Sequence, residues 1–69
     1  MKFGERLEAA MRHLGWGPSE LSKGSGVAMP TISALTRRAS DRTNYKEALI
    51  KGFPEDKINH DWLATGRGE

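Results

Sequence analysis

The sequence predicts an all-α fold of five short helices, and three observations carry that expectation. Phe3, Leu7, Ala10, Met11 and Leu14 recur at helical spacing, so they line one apolar stripe of a first helix. Start and stop residues then punctuate the chain: Pro18, Asn44 and Asn59 where helices would begin, and Gly15, Gly26, Gly52 and Gly66 where they would end. Finally, Pro18 to Arg37 reads as two short helices broken by a Gly-Val turn, with apolar anchors at Leu21, Val27, Ile32 and Leu35.

The first helix is expected from about Lys2 to Leu14. Glu5, Arg6, Glu8 and Arg12 cover its outside, and Glu8 and Arg12 are spaced to pair at i, i+4. Gly15 ends it in a left-handed cap. Trp16 is expected to pack at the corner of two helices rather than to serve as a stacking platform for a base. The second helix starts at Pro18, whose missing N–H would be unpaired in a first turn anyway. Glu20 suits the positive end of that helix. Gly24 is a poor helix former, about 1 kcal/mol less favourable than Ala. Close packing against a neighbouring helix or a DNA backbone would account for it.

Leu21 faces inward, and Ser22 beside it is small enough for close helix approach. Gly26 supplies the positive φ of the turn. Val27 plugs the turn into the core, and Ile32 and Leu35 clamp the next helix from below. This is the pattern of a helix-turn-helix spanning about residues 18–37, a unit that holds its second helix in the major groove of DNA. The third helix starts near Ala28 or Met29, with Ala28 at the cap position and Pro30 compatible with a first turn. Its other face, Met29, Pro30, Ser33, Ala34 and Arg37, is left outward. Residues 36–40 fray into a polar loop. Asn44 with Glu47 three residues on looks like a capping arrangement for a fourth helix through Tyr45, Ala48, Leu49 and Ile50, which Gly52 stops. Residues 53–57 form a turn. Asn59 caps a last helix from His60 to Thr65, which Gly66 closes, with Trp62 and Leu63 sealing the core. Residues 67–69 fray.

Size and composition narrow the class. Sixty-nine residues suit one domain, residues 1–69, near the lower limit for a core without a staple. There is no cysteine, so neither a disulfide nor a thiolate metal site is available. No apolar run is long enough to span a bilayer and no signal-peptide layout opens the chain, so a cytoplasmic protein without a membrane partner is expected. The net charge is only +2, but it is unevenly placed. Residues 1–36 carry four basic and three acidic residues. Residues 37–46 carry Arg37, Arg38, Arg42 and Lys46 against Asp41 alone, a net of +3. Residues 47–69 carry three basic and five acidic residues, a net of −2. A basic cluster just after a helix-turn-helix is placed to neutralise phosphates.

With those residues in view, Phe3 to Gly66 resembles the DNA-binding domain of lambdoid phage repressors and Cro proteins, the Cro/C1-type helix-turn-helix. Three pieces carry the likeness in order: Glu20-Leu21 followed by Ser25-Gly26-Val27, then Pro30-Thr31-Ile32-Ser33, then Asp61-Trp62-Leu63-Ala64-Thr65-Gly66. The resemblance implies a compact five-helix lambda-repressor-like domain with no cofactor. It also implies double-stranded DNA as partner and a homodimer on a two-fold operator, with half-sites about 34–36 Å apart. The dimer surface is expected near the fifth helix and the loop before it.

Base readout is then expected from Met29, Pro30, Ser33, Ala34 and Arg37. Only Arg37 can make a bidentate contact with guanine, although its place at the helix end suits a phosphate contact as well. Ser33 discriminates weakly, and Met29, Pro30 and Ala34 offer apolar contact suited to thymine methyl groups. A large share of specificity is therefore expected from DNA shape and phosphate positioning. Phosphate contacts are expected from Ser19 and the backbone beside it, Thr31, Arg38, Arg42, Thr43 and Asn44. Asp41 must point away from the phosphates. The chain departs from the family in two places: Ala28 stands where Ser or Thr is common, and residues 53–57 lengthen the usual connector.

Nothing in the sequence supports catalysis. His13 and His60 lie on separate helices without ligand-spaced partners, the carboxylates lie on solvated faces or at helix starts, and Gly24-Ser25-Gly26 is a helix end rather than a nucleotide loop. The leading expectation is a sequence-specific transcriptional regulator, a phage or prophage repressor working in the cytoplasm at the nucleoid. It would be either a whole Cro-like protein or the N-terminal domain of a longer CI-like repressor. Two alternatives stay open: the autoregulating antitoxin of a toxin–antitoxin pair, and a helical protein-interaction module that binds no DNA.

Overall fold

The helix ends are set by a few short-range polar contacts. The Glu5 carboxylate (Oε1) reaches back to accept from the Lys2 N–H at 2.9 Å, and Glu20 does the same for the Gly17 N–H at 2.9 Å. Each supplies half of a capping box, the half that needs no cap side chain. Asn59 Oδ1 accepts from the Trp62 N–H at 3.1 Å. At the other ends Gly15, Gly26 and Gly66 turn the chain at φ 71°, 77° and 81°. Between these signals lie α1 (Phe3–Leu14), α2 (Pro18–Ser25), α3 (Met29–Arg38), α4 (Lys46–Lys51) and α5 (His60–Thr65). The computed structural model describes residues 2–38 and 43–67, and no strand occurs among the described residues.

α1 packs on α3 and α5, α2 on α3 and α4, and α4 on α5. Phe3, Leu7, Leu21, Ile32, Leu49 and Leu63 are fully buried where these helices meet. The turn between α2 and α3 is clasped by one side chain. Ser25 Oγ donates to the Leu21 carbonyl at 2.7 Å and accepts from the Val27 N–H at 3.2 Å, while the Gly26 N–H donates to the Ser22 carbonyl at 2.8 Å. Val27 is thereby delivered into the core.

Two glycines owe their place to a close approach rather than to backbone conformation. A Cβ on Gly24 would sit 3.0 Å from the Gly52 carbonyl oxygen, and one on Gly52 would sit 2.9 Å from Ser25 Cβ. Gly52 has φ −71°, so it ends α4 without a left-handed turn. The end of α2 and the end of α4 touch almost backbone to backbone, which accounts for the otherwise unfavourable Gly24.

The structure corrects several sequence expectations. Arg6 does not cover the outside of α1, for it is only 6% exposed. It lies three residues after Phe3 and four before Ala10, inside the apolar stripe, and its guanidinium finds polar partners there. Nε donates to the Leu63 carbonyl at 2.9 Å, and Nη2 lies 3.5 Å from the Ala64 carbonyl. Arg6 thus caps the carbonyl end of α5, where helix carbonyls lack partners and positive charge is favoured. By contrast Glu8 and Arg12 do pair on the surface, at 3.5 Å.

Asn44 does not cap α4. The hydroxyl of Thr43 accepts from the Tyr45 N–H at 3.1 Å, which leaves Tyr45 at the cap position and Asn44 in the turn. Residues 53–57 are more than a turn, because Phe53 at its start and Ile58 just after it are core residues. The Pro54 carbonyl accepts from the N–H groups of Lys57 and Ile58, and the His60 ring donates through Nε2 to the Phe53 carbonyl at 2.8 Å. Trp16 packs at its corner by stacking on Phe53, with centroids 5.3 Å apart and planes 11° from parallel. Trp62 is half-buried at the edge of the core, and the seal at α5 is Leu63 alone.

Candidate nucleic-acid interface

α3 is built to show one face. Ile32 and Leu35 are its buried residues, held against α1 and α2. With 3.6 residues per turn, the opposite side carries two neighbouring i, i+4 rows, Met29–Ser33–Arg37 and Pro30–Ala34–Arg38. Met29 is 46% exposed, Pro30, Arg37 and Arg38 are exposed, and Ser33 and Ala34 are half-buried. The apolar part of this face lies at the start of the helix and the cationic part at its end. Thr36 does not add to the face, because its hydroxyl lies 3.2 Å from the Ile32 carbonyl and 3.1 Å from the Ser33 carbonyl.

The start of α3 has no side-chain cap. The Ala28 carbonyl accepts from the N–H groups of Thr31 (3.1 Å) and Ile32 (3.2 Å), which makes Ala28 the cap residue by backbone geometry. Its methyl group offers no acceptor to the first turn. Thr31 is half-buried. On α2, Ser19 is half-buried in the first turn, next to Pro18, which has no N–H to offer. The Gly17 N–H is already taken by Glu20, whose exposed carboxylate sits at the same positive helix end that a phosphate would seek.

The expected phosphate contacts do not all fall within the described residues. Arg42 and Asp41 lie outside them. Thr43 is half-buried with its hydroxyl turned to the Tyr45 N–H, and Asn44 is exposed. Lys46 belongs to the basic cluster by sequence, yet its ammonium lies 5.3 Å from the centre of the Phe3 ring, so it also packs on the start of α1. Tyr45, expected on the apolar side of α4, is instead 49% exposed beside Asn44. Its polar neighbours Asn44, Lys46 and Glu47 were the available signal.

Known proteins similar to this chain include the HTH-type transcriptional regulators for conjugative element R391 of Providencia rettgeri, for SXT of Vibrio cholerae and for pMERPH of Shewanella putrefaciens. Each is 34% identical over 65 residues, which cover 94% of this chain and 29% of the relative. The chain therefore spans under a third of the length of these relatives. No family profile matches the chain, and no solved structure does. Among the described residues, no helix is long and apolar enough to cross a membrane.

Proposed function

We propose that this chain is a sequence-specific DNA-binding transcriptional regulator, working as one helix-turn-helix domain over residues 1–69. The observation that carries the reading is the outward face of α3. It is set by the clasped turn at Ser25 and Gly26, anchored from behind by Ile32 and Leu35, and it ends in exposed Arg37 and Arg38. α3 enters the major groove, and Met29, Pro30, Ser33, Ala34 and Arg37 meet the bases. Ser19, Thr31, Arg38, Arg42, Thr43 and Asn44 follow the phosphates, with base contacts specifying and phosphate contacts positioning.

The likeness to regulators of conjugative elements supports the transcriptional role. Together with the Cro/C1-type motifs it widens the reading from a phage or prophage repressor to a regulator serving a conjugative element. The domain binds a two-fold operator as a homodimer. Selection of bound duplexes from a random pool tests this. The expected result is one enriched two-fold sequence with half-sites about 34–36 Å apart. Retention of no duplex even at low salt would leave a protein-interaction module as the better reading.

A further inference from the structure

The apolar half of the α3 face bears on which DNA this chain selects, given the reading above. Met29 and Tyr45 are the exposed large hydrophobic residues among the described residues, and Met29 stands on the face turned away from the core. Pro30 beside it is exposed, and Ala34 lies one turn on in the same row. None of these three side chains can donate or accept a conventional hydrogen bond beyond the weak thioether acceptor. They cannot tell bases apart by the donor and acceptor code of the groove. The apolar feature of that groove is the methyl group on C5 of thymine. A cytosine edge in the same place presents an amino group instead, and gains an equivalent methyl only as 5-methylcytosine.

We propose that Met29, Pro30 and Ala34 read the 5-methyl group of pyrimidines in the major groove. Met29 is suited to this because its unbranched, polarizable thioether follows an irregular apolar surface. A nucleic acid is the occupant because the same helix ends in exposed Arg37 and Arg38, within the segment of net charge +3. An apolar peptide would leave those cations unmatched, whereas a duplex offers methyl groups and phosphates together.

The test starts from a duplex that the chain itself selects. Each thymine is replaced in turn by deoxyuridine, which deletes the methyl and keeps every hydrogen-bonding group. Affinity is expected to fall about fourfold for each methyl that α3 touches, at one or two positions in each half-site. In a second arm, the same positions carry cytosine or 5-methylcytosine paired with guanine. Tighter binding of the 5-methylcytosine duplex would show that either base can supply the methyl, while a response to deoxyuridine alone would assign the source to thymine. Both results support the proposal.

The variants Met29→Ala and Ala34→Gly control for changes in DNA shape, with helicity checked by circular dichroism. The deoxyuridine effect should shrink to less than twofold in at least one of them. Its persistence in both variants would overturn the proposal, as would a selected duplex in which no methyl removal or addition changes affinity twofold. Should the chain select no duplex, the functional reading fails and the proposal falls with it. A chain that selects DNA and ignores the methyl groups overturns the proposal alone.

Discussion

At Gly52 the backbone conformation permits any residue, yet the space does not. With φ −71° an alanine there would suit the end of a helix, and by propensity alone it should stabilise. Its Cβ would lie 2.9 Å from Ser25 Cβ, which is fixed to the α2 backbone and cannot swing aside. Gly52→Ala should therefore destabilise by about 1–3 kcal/mol, the range for inserting a methyl into a packed site. Urea denaturation checks this, and an unchanged midpoint would mean that α2 and α4 separate easily. Ser25→Gly relieves the clash but removes the clasp on the turn, so the double variant should be less unstable than the sum of the two single effects.

Among the elements, α3 has the most to gain from a single change. Ala28 already accepts the first two helical N–H groups through its carbonyl, and a hydroxyl there would add the missing side-chain acceptor. Ala28→Ser should stabilise by about 0.5–2 kcal/mol in the absence of DNA, read from thermal melting. An unchanged or lower melting temperature would put the fault elsewhere. At α5 the two adjacent apolar residues should part company. Leu63 is fully buried, so Leu63→Ala should cost about 2–5 kcal/mol. The half-buried Trp62 should cost distinctly less when replaced by Ala. Equal effects would place Trp62 in the core after all.

The same elements mark how far the sequence is legible. The bounds of α1, α2 and α5 can be read because Gly15, Pro18, Gly26, Asn59 and Gly66 each do one local job that no distant contact alters. Arg6 misleads because its charge hides a position that the helical angle puts on the apolar stripe. The start of α4 is ambiguous because Thr43 and Asn44 can both accept from a neighbouring N–H, and composition does not choose between them. Phe53 and Ile58 are hidden in and beside a segment that looks like a plain connector. For the candidate interface, the exposure of Met29, Pro30 and Arg37 follows from knowing that Ile32 and Leu35 face in. The half-burial of Ser33 and Ala34 depends on neighbouring helices, and so does not.

On the scale of the whole molecule, charge and stability are divided between two ends. The positive charge gathers after α3, and residues 47–69 carry a net of −2, so the domain should approach a duplex with α3 leading. Arg38 lies at the leading edge and is exposed. Arg38→Ala should weaken selected and random duplexes by similar factors and reduce the salt slope by about one unit. Binding measured over a series of salt concentrations checks this, and a change confined to the selected sequence would make Arg38 a base-reading residue. Stability is the tighter constraint. At roughly 0.05–0.15 kcal/mol per residue, a chain of this length holds about 3–10 kcal/mol in all, so a core deletion such as Leu63→Ala consumes much of it.

The contact between Arg6 and the end of α5 also has a place in time. It joins residues 57 apart in the chain. Closing so long a loop early would sacrifice chain entropy before any other long-range contact had repaid it. That hydrogen bond therefore forms after the rate-limiting step of folding and acts as a brake on unfolding. Replacing Arg6 by Met leaves the folding arm of a chevron plot in place and raises the unfolding arm. The lifetime of the folded state, more than the speed of reaching it, rests on one guanidinium near the start of the chain.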